Sequence, residues 1–164
     1  MVLGLPGVGK SYFARQFALA IQGAHINSDL IRKQAFSQPV YSSQEKSRVY
    51  DVMFESVSQL LREGKRVIVD ATFSKKERRL PYYHFAEKEK IDCKLIKIVA
   101  NEDMVKERLN VSRPDSDADF EIYRKIKREY DVLDRPCLIL DSTELSIGEM
   151  IEKAKEYLGI TTLK

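Results

Sequence analysis

Residues Gly4-Leu5-Pro6-Gly7-Val8-Gly9-Lys10-Ser11 fit the spacing G-x-x-x-x-G-K-[ST] without a mismatch. The apolar run Met1-Val2-Leu3 stands directly before them, and a stretch with helical apolar spacing stands directly after. A glycine-rich turn between a strand and a helix can curl its backbone N–H groups around a polyphosphate. The helix that follows directs its N-terminus, worth about half a positive charge, at the same group. Read this way, Gly4, Pro6, Gly7, Val8, Gly9, Lys10, Ser11 and Tyr12 form a nucleotide-binding segment. ATP is the expected ligand. Lys10 would reach the β- and γ-phosphates, and the Ser11 hydroxyl would meet Mg²⁺.

Apolar runs alternate with helical stretches along the rest of the chain. Phe13, Phe17, Ala20 and Ile21 place one face of a first helix on a core, with Gly23 expected to end it. Residues 24–27 read as a short strand leading into Asp29 and Arg32, and residues 33–41 as a loop marked by Ser37, Gln38 and Pro39. Ser42 with Glu45 is a capping-box signal for a helix carried by Val49, Val52, Met53, Val57, Leu60 and Leu61 as far as Gly64. Residues 66–70 form a buried strand with an acidic end, and a basic helix follows from Lys75 to about Lys90. Residues 93–99 are the next strand, and Asn101 caps a helix to about Leu109. Residues 111–118 are polar, contain Pro114 and read as a loop, after which Phe120, Tyr123, Ile126, Tyr130 and Leu133 line another helix. Residues 137–141 are the last strand, and Ser146 with Glu149 caps a closing helix that packs Met150, Ile151, Ala154 and Leu158.

Strand alternating with helix throughout predicts an α/β fold: a five-stranded parallel sheet with helices on both faces. One domain over residues 1–164 is expected, with ligands at the carboxyl ends of the strands. Gly4, Asp29, Asp70, Asn101 and Asp141 all fall there. A central strand usually runs ~5–6 residues. Three residues precede the loop, so the first strand is expected to be short or clipped at its N-terminus.

The net charge of +3, from 28 Lys+Arg against 25 Asp+Glu, is too mild to point to nucleic acid by itself. Cys93 and Cys137 lie in apolar runs without metal-like spacing and read as buried, reduced thiols of a cytoplasmic protein. No apolar stretch approaches the ~18 residues that would span a bilayer.

The segments GLPGVGKS, INSDLIRK, GKRVIVDATFSKKERR and ERLNVSRPDSDAD, in this order, resemble the small P-loop kinases related to the polynucleotide 5′-hydroxyl kinase domain and the zeta-toxin kinases, a group placed with AAA-type ATP-binding proteins. The resemblance covers essentially the whole chain. It implies a P-loop NTPase fold with a small arginine-bearing lid, ATP and Mg²⁺ as cofactors, and an acceptor bearing a hydroxyl. The first segment is highly specific for nucleotide and DATF moderately so for this group; none of the four specifies an acceptor.

In the resembled family the acid after the second strand activates the acceptor hydroxyl, and Asp29 holds that place. Kinases use a carboxylate to orient the hydroxyl and take its proton, a contribution of ~10²–10⁴-fold. The alternative is a helix N-terminal acid favoured by the dipole. Arg32 shares a helical face with Asp29 and is implied to hold the acceptor or the transferring phosphate; the alternative is an exposed ion pair. Asp70 takes the Walker B place and would bind Mg²⁺ with Ser11. Ala71 rather than a second acid follows it, which argues against a motor ATPase. Arg108 and Arg113 flank the start of the polar loop and match lid arginines that close over the phosphates, Arg113 as a catalytic group and Arg108 as a nucleotide contact. Tyr12 departs from the threonine common after the serine.

Lys75, Lys76, Arg78 and Arg79 form a basic run that either steers an anionic acceptor or is a solvated helix face. His25 and His84 show no partners and receive no role. The expectation is an ATP-dependent kinase acting on a nucleic-acid 5′-hydroxyl or on a small metabolite or sugar. The rival class is an ATP-binding regulatory module with slow hydrolysis. Residues between Ala35 and Ser47 are expected to shape the acceptor pocket. Oligomeric state is left open.

Overall fold

A computed structural model describes residues 1–37, 42–112 and 117–160. Five strands, β1 (Val2–Leu3), β2 (Ala24–Asn27), β3 (Val67–Asp70), β4 (Leu95–Val99) and β5 (Cys137–Asp141), form one sheet in the order β2-β3-β1-β4-β5. Every pairing is parallel. The chain runs to one side of β1 for β2 and β3, then crosses to the other for β4 and β5. That reversal opens a crevice at the carboxyl end of β1, where the glycine loop begins.

Strand alternation sorts the core into two layers. Val2, Ile68, Ile96 and Leu140 face a cluster with Phe13, Phe17, Phe120, Tyr123 and Met150. Their strand neighbours Leu3, Val69 and Leu95 face the opposite cluster, with Val49, Met53, Phe73 and Tyr82. The first layer is supplied by helices α1 (Lys10–Ala20), α5 (Glu102–Ser112), α6 (Asp117–Arg128) and α7 (Ile147–Tyr157). The second is supplied by α3 (Ser43–Arg62) and α4 (Lys76–Glu89), while α2 (Ser28–Ala35) leans on α3. No helix among the described residues is long and apolar enough to cross a membrane.

Several expected boundaries move. The loop expected at 33–41 begins later, because α2 continues to Ala35. The loop expected at 111–118 is narrower: α5 includes Ser112, α6 opens at Asp117, and Arg113–Ser116 lie outside the described residues. Tyr130 and Leu133 follow α6 rather than belonging to it, since the helix ends at Arg128 and both side chains pack on the opposite cluster. Gly23 does not supply the left-handed turn after α1; Gln22 does, at φ 53°. Gly23 is required for space instead, because a Cβ there would lie 2.6 Å from Ile68 Cδ1. Cys93 and Cys137 are free thiols, half-buried rather than buried.

Candidate active site

The glycine loop leaves β1 with Gly4 at φ 153°, and a Cβ there would sit 2.5 Å from the Ile98 carbonyl oxygen. Gly9, at φ 87°, is the N-cap of α1, so the helix starts at Lys10 with its amides turned toward the loop. Val8 is buried in the core, and Leu5 packs partly against the same cluster. The Val8 carbonyl accepts a 2.8 Å hydrogen bond from the Ser142 hydroxyl, which reaches over from the turn after β5. Arg108 donates to the same hydroxyl at 3.0 Å and to the Gly7 carbonyl at 3.5 Å. Arg108 therefore braces the loop from outside. Arg113 lies outside the described residues. Tyr12 is 54% exposed, with the Arg15 guanidinium over its ring at 5.9 Å.

Asp70 ends β3 fully buried, in register with Asn27 and Val2 on the flanking strands. Its Oδ2 accepts from Asn27 Nδ2 at 2.6 Å and from His25 Nε2 at 3.2 Å. His25 thus has a partner, contrary to the reading of the sequence. Burial by itself would raise the Asp70 pKa. The His25 hydrogen bond, the Lys10 charge and the Asn27 amide outweigh it and hold the carboxyl below its usual range. The other oxygen, Oδ1, is buried with no hydrogen-bond partner.

Asn27 is the residue that sequence reasoning passed over. Its Nδ2 also donates to Ser11 Oγ at 3.2 Å, so one amide bridges the loop serine and the strand-end acid. Its Oδ1 accepts from the backbone N–H of Asp29 at 3.0 Å and of Leu30 at 2.9 Å, capping α2. The signal was present as an asparagine just ahead of a helical Asp-x-x-Arg.

Asp29 stands in the first turn of that helix, 59% exposed, with Oδ1 accepting from Arg32 Nη1 at 3.1 Å. Arg32 is no exposed ion pair. It is buried, and its Nε lies 3.0 Å from Oε1 of Glu45, itself buried on α3. Glu45 consequently gives only its backbone to the expected capping box: its N–H reaches the Ser42 hydroxyl at 3.1 Å while its carboxylate faces Arg32. On the same helix α3 stands Tyr50, whose hydroxyl accepts the Phe73 N–H at 3.3 Å, with the Arg78 guanidinium over its ring at 5.3 Å.

The basic run does not act as a unit. Lys75 and Lys76 pair with Asp131 and Asp134, and Arg79 is fully buried against two backbone carbonyls. Phe73, in the left-handed region at φ 48°, is held between that arginine and Tyr50. Among the described residues, no cluster of three or more His, Cys, Asp and Glu could make an all-protein metal cage. Asp70 and Ser11 instead match the sparse protein ligation typical of magnesium on a nucleotide.

The sequence profile of a family described as an AAA domain matches residues 1–133. The APS kinase CysC of Mycobacterium tuberculosis, solved with AMPPNP and APS, superposes with a TM-score of 0.77 at 19% identity, over 96% of this chain and 95% of that one. A gluconokinase from Sinorhizobium meliloti gives 0.69 at 17% identity, over 96% and 89%. The tunicamycin resistance protein of Deinococcus radiodurans gives 0.64 at 13%, over 98% and 96%. At these identities the likeness establishes the fold, an α/β P-loop fold shared with small kinases.

Proposed function

We propose that this chain, which belongs to the AAA domain family, is an ATP-dependent kinase that moves the γ-phosphoryl group to an acceptor hydroxyl. One observation carries the reading. Asn27 holds Ser11 and Asp70 with its amide nitrogen and the first turn of α2 with its amide oxygen, so Asp29 stands beside the nucleotide segment. A module that only binds nucleotide has no need of a carboxylate in that place.

The loop amides, the α1 N-terminus and Lys10 bind the triphosphate and neutralise charge that grows on the transferring group. Arg32 fixes one oxygen of Asp29, and the other takes the hydroxyl proton as the acceptor oxygen bonds to the γ-phosphorus. The bond from that phosphorus to the bridging oxygen breaks, and ADP leaves. Arg113 and Arg108 are assigned to the lid side of the nucleotide. A magnesium ion fits the residues present, because Asp70 offers a buried, ionised oxygen without a partner and Ser11 shares its Asn27 contact. Asp70 and Ser11 would hold it, and bound there it would supply positive charge to offset that of the triphosphate.

The test is ADP release from MgATP alone and with candidate acceptors, a 5′-hydroxyl oligonucleotide and a set of sugars. The kinase reading expects stimulation by an acceptor. Asp29→Asn should lower that stimulated rate by ~10²–10⁴ while nucleotide affinity changes by no more than a few-fold. Phosphorylation at near-normal rate in this variant would reduce Asp29 to a helix-end residue. ADP release indifferent to every acceptor would favour a regulatory nucleotide module.

A further inference from the structure

Arg32, Arg78 and Arg79 have partners that differ in kind. Arg32 meets two carboxylates, Asp29 at 3.1 Å and Glu45 at 3.0 Å. Arg79 gives Nη1 to the Phe73 carbonyl at 2.8 Å and Nη2 to the Val132 carbonyl at 3.0 Å. Arg78 instead donates Nη1 to the Ser47 hydroxyl at 3.2 Å, lays its plane over Tyr50, and keeps 26% of its side chain in solvent. Its carboxylate neighbour is Glu77, 3.6 Å from Nε and 74% exposed, a pairing in water that neutralises little. Ser47 and Tyr50 thus hold the Arg78 charge in place without cancelling it. A planar guanidinium fixed in this way is matched to two oxygens of one anion.

Tyr50 places that charge within the acceptor side. Its ring lies under Arg78, and it stands on α3, the helix whose Glu45 carboxylate meets Arg32; burial above all keeps its hydroxyl protonated. Having spent its oxygen on the Phe73 N–H, the phenol still has a proton to donate.

We infer that the acceptor carries an anionic group as well as its hydroxyl, a phosphate, sulfate or carboxylate, and that Arg78 binds this group with help from Ser47 and Tyr50. The inference rests on the kinase reading for where the hydroxyl goes: Asp29 takes one end of the acceptor and Arg78 the other. Arg78 is then a specificity residue, and its loss weakens the preference for charged acceptors.

The glycine loop binds anions itself, so it is first filled with a non-hydrolysable ATP analogue and magnesium. Sodium sulfate is then titrated against an ionic-strength control, and Tm is followed for the wild type, Arg78→Gln and Arg78→Lys. A saturable rise is expected in the wild type, displaced to about tenfold higher sulfate in Arg78→Lys and absent in Arg78→Gln. Coincident curves for the wild type and either variant overturn the inference, so Arg78→Lys alone suffices should Arg78→Gln not fold.

A second arm compares ADP release with matched pairs, ribose against ribose 5-phosphate and adenosine against adenosine 3′-phosphate. The charged member should exceed the neutral one by about tenfold or more in kcat/KM, chiefly through KM, and by no more than about twofold in Arg78→Gln. Which pair responds tells a small sugar phosphate from a nucleic-acid end. A neutral preference, or a charged preference that Arg78→Gln retains, overturns the inference. An Arg78-dependent sulfate step with no acceptor response in either pair leaves the anion site standing and removes the kinase reading.

Discussion

The two halves of the ligand edge are built from different materials. The nucleotide half is made of backbone: Gly4 and Gly9 in the left-handed half of φ space, and the Gly7 and Val8 carbonyls pinned by Arg108 and Ser142. The half proposed for the acceptor is made of side chains meeting side chains: Asp29 on Arg32, Arg32 on Glu45, Arg78 on Ser47 and Tyr50. A backbone-built site binds a group common to every nucleotide and has little scope to vary. A site of paired side chains can exchange one ligand for another by single substitutions, which suits it to the variable partner of a two-substrate reaction.

Lys10→Ala tests this division most severely. The lysine charge is assigned to the phosphates and is half-buried outside the core, so the fold should survive while ATP turnover falls by about 10³-fold or more, with and without acceptor. Asp29→Asn, on the other half, should depress only the acceptor-stimulated rate. Comparable ATP turnover in a folded Lys10→Ala variant, seen by a coupled ADP assay, would remove the nucleotide assignment and the comparison with it.

What could be read in the sequence follows the same division. Glycine spacing is local, and so are strand ends, so the loop, the five strands and the place of Asp70 were all legible. Asp29 and Arg32 were legible as a pair three residues apart. The bonds that organise them were not, because they join distant positions: His25 to Asp70 across 45 residues, and Ser142 to Val8 across 134. No local pattern announces such a contact. Glu45 shows how a local pattern misleads, since Ser-x-x-Glu spelled a capping box and a buried arginine took the carboxylate instead. The basic run misled for the opposite reason. Four cations within five residues suggested one surface, yet the turn of α4 sends Arg79 into the core and Arg78 toward Ser47 and Tyr50.

Arg113 sharpens the comparison at intermediate cost. Assigned to the closed lid, it should contribute to the transition state more than to nucleotide binding, so Arg113→Ala should lower kcat by about 10²-fold with ATP affinity changed only a few-fold. Arg113→Lys should recover little of it, because a point charge does not reproduce a guanidinium fork on two phosphate oxygens. Steady-state kinetics with a nucleotide titration separate the two quantities. Lost ATP affinity with unchanged kcat would make Arg113 a ground-state contact of the nucleotide half.

The smallest effect belongs to the residue that joins the halves. Asn27 uses its nitrogen toward Ser11 and Asp70 and its oxygen toward the α2 amides, so two substitutions can take the functions apart. Asn27→Ser keeps an oxygen able to cap α2 and loses the bridging donor; Asn27→Ala loses both. Both variants should weaken magnesium-nucleotide binding by several-fold, since Asp70 loses the amide that helps hold it ionised and oriented. Only Asn27→Ala should also lose about 1 kcal/mol of stability from the uncapped helix. The same variant should raise the acceptor KM, because Asp29 is carried by the turn that the cap holds. Denaturant unfolding, nucleotide titration and acceptor kinetics on the two variants give three independent readings. If serine and alanine prove equal in all three, the oxygen does nothing for the acceptor half, and the two halves are coupled through the sheet rather than through Asn27.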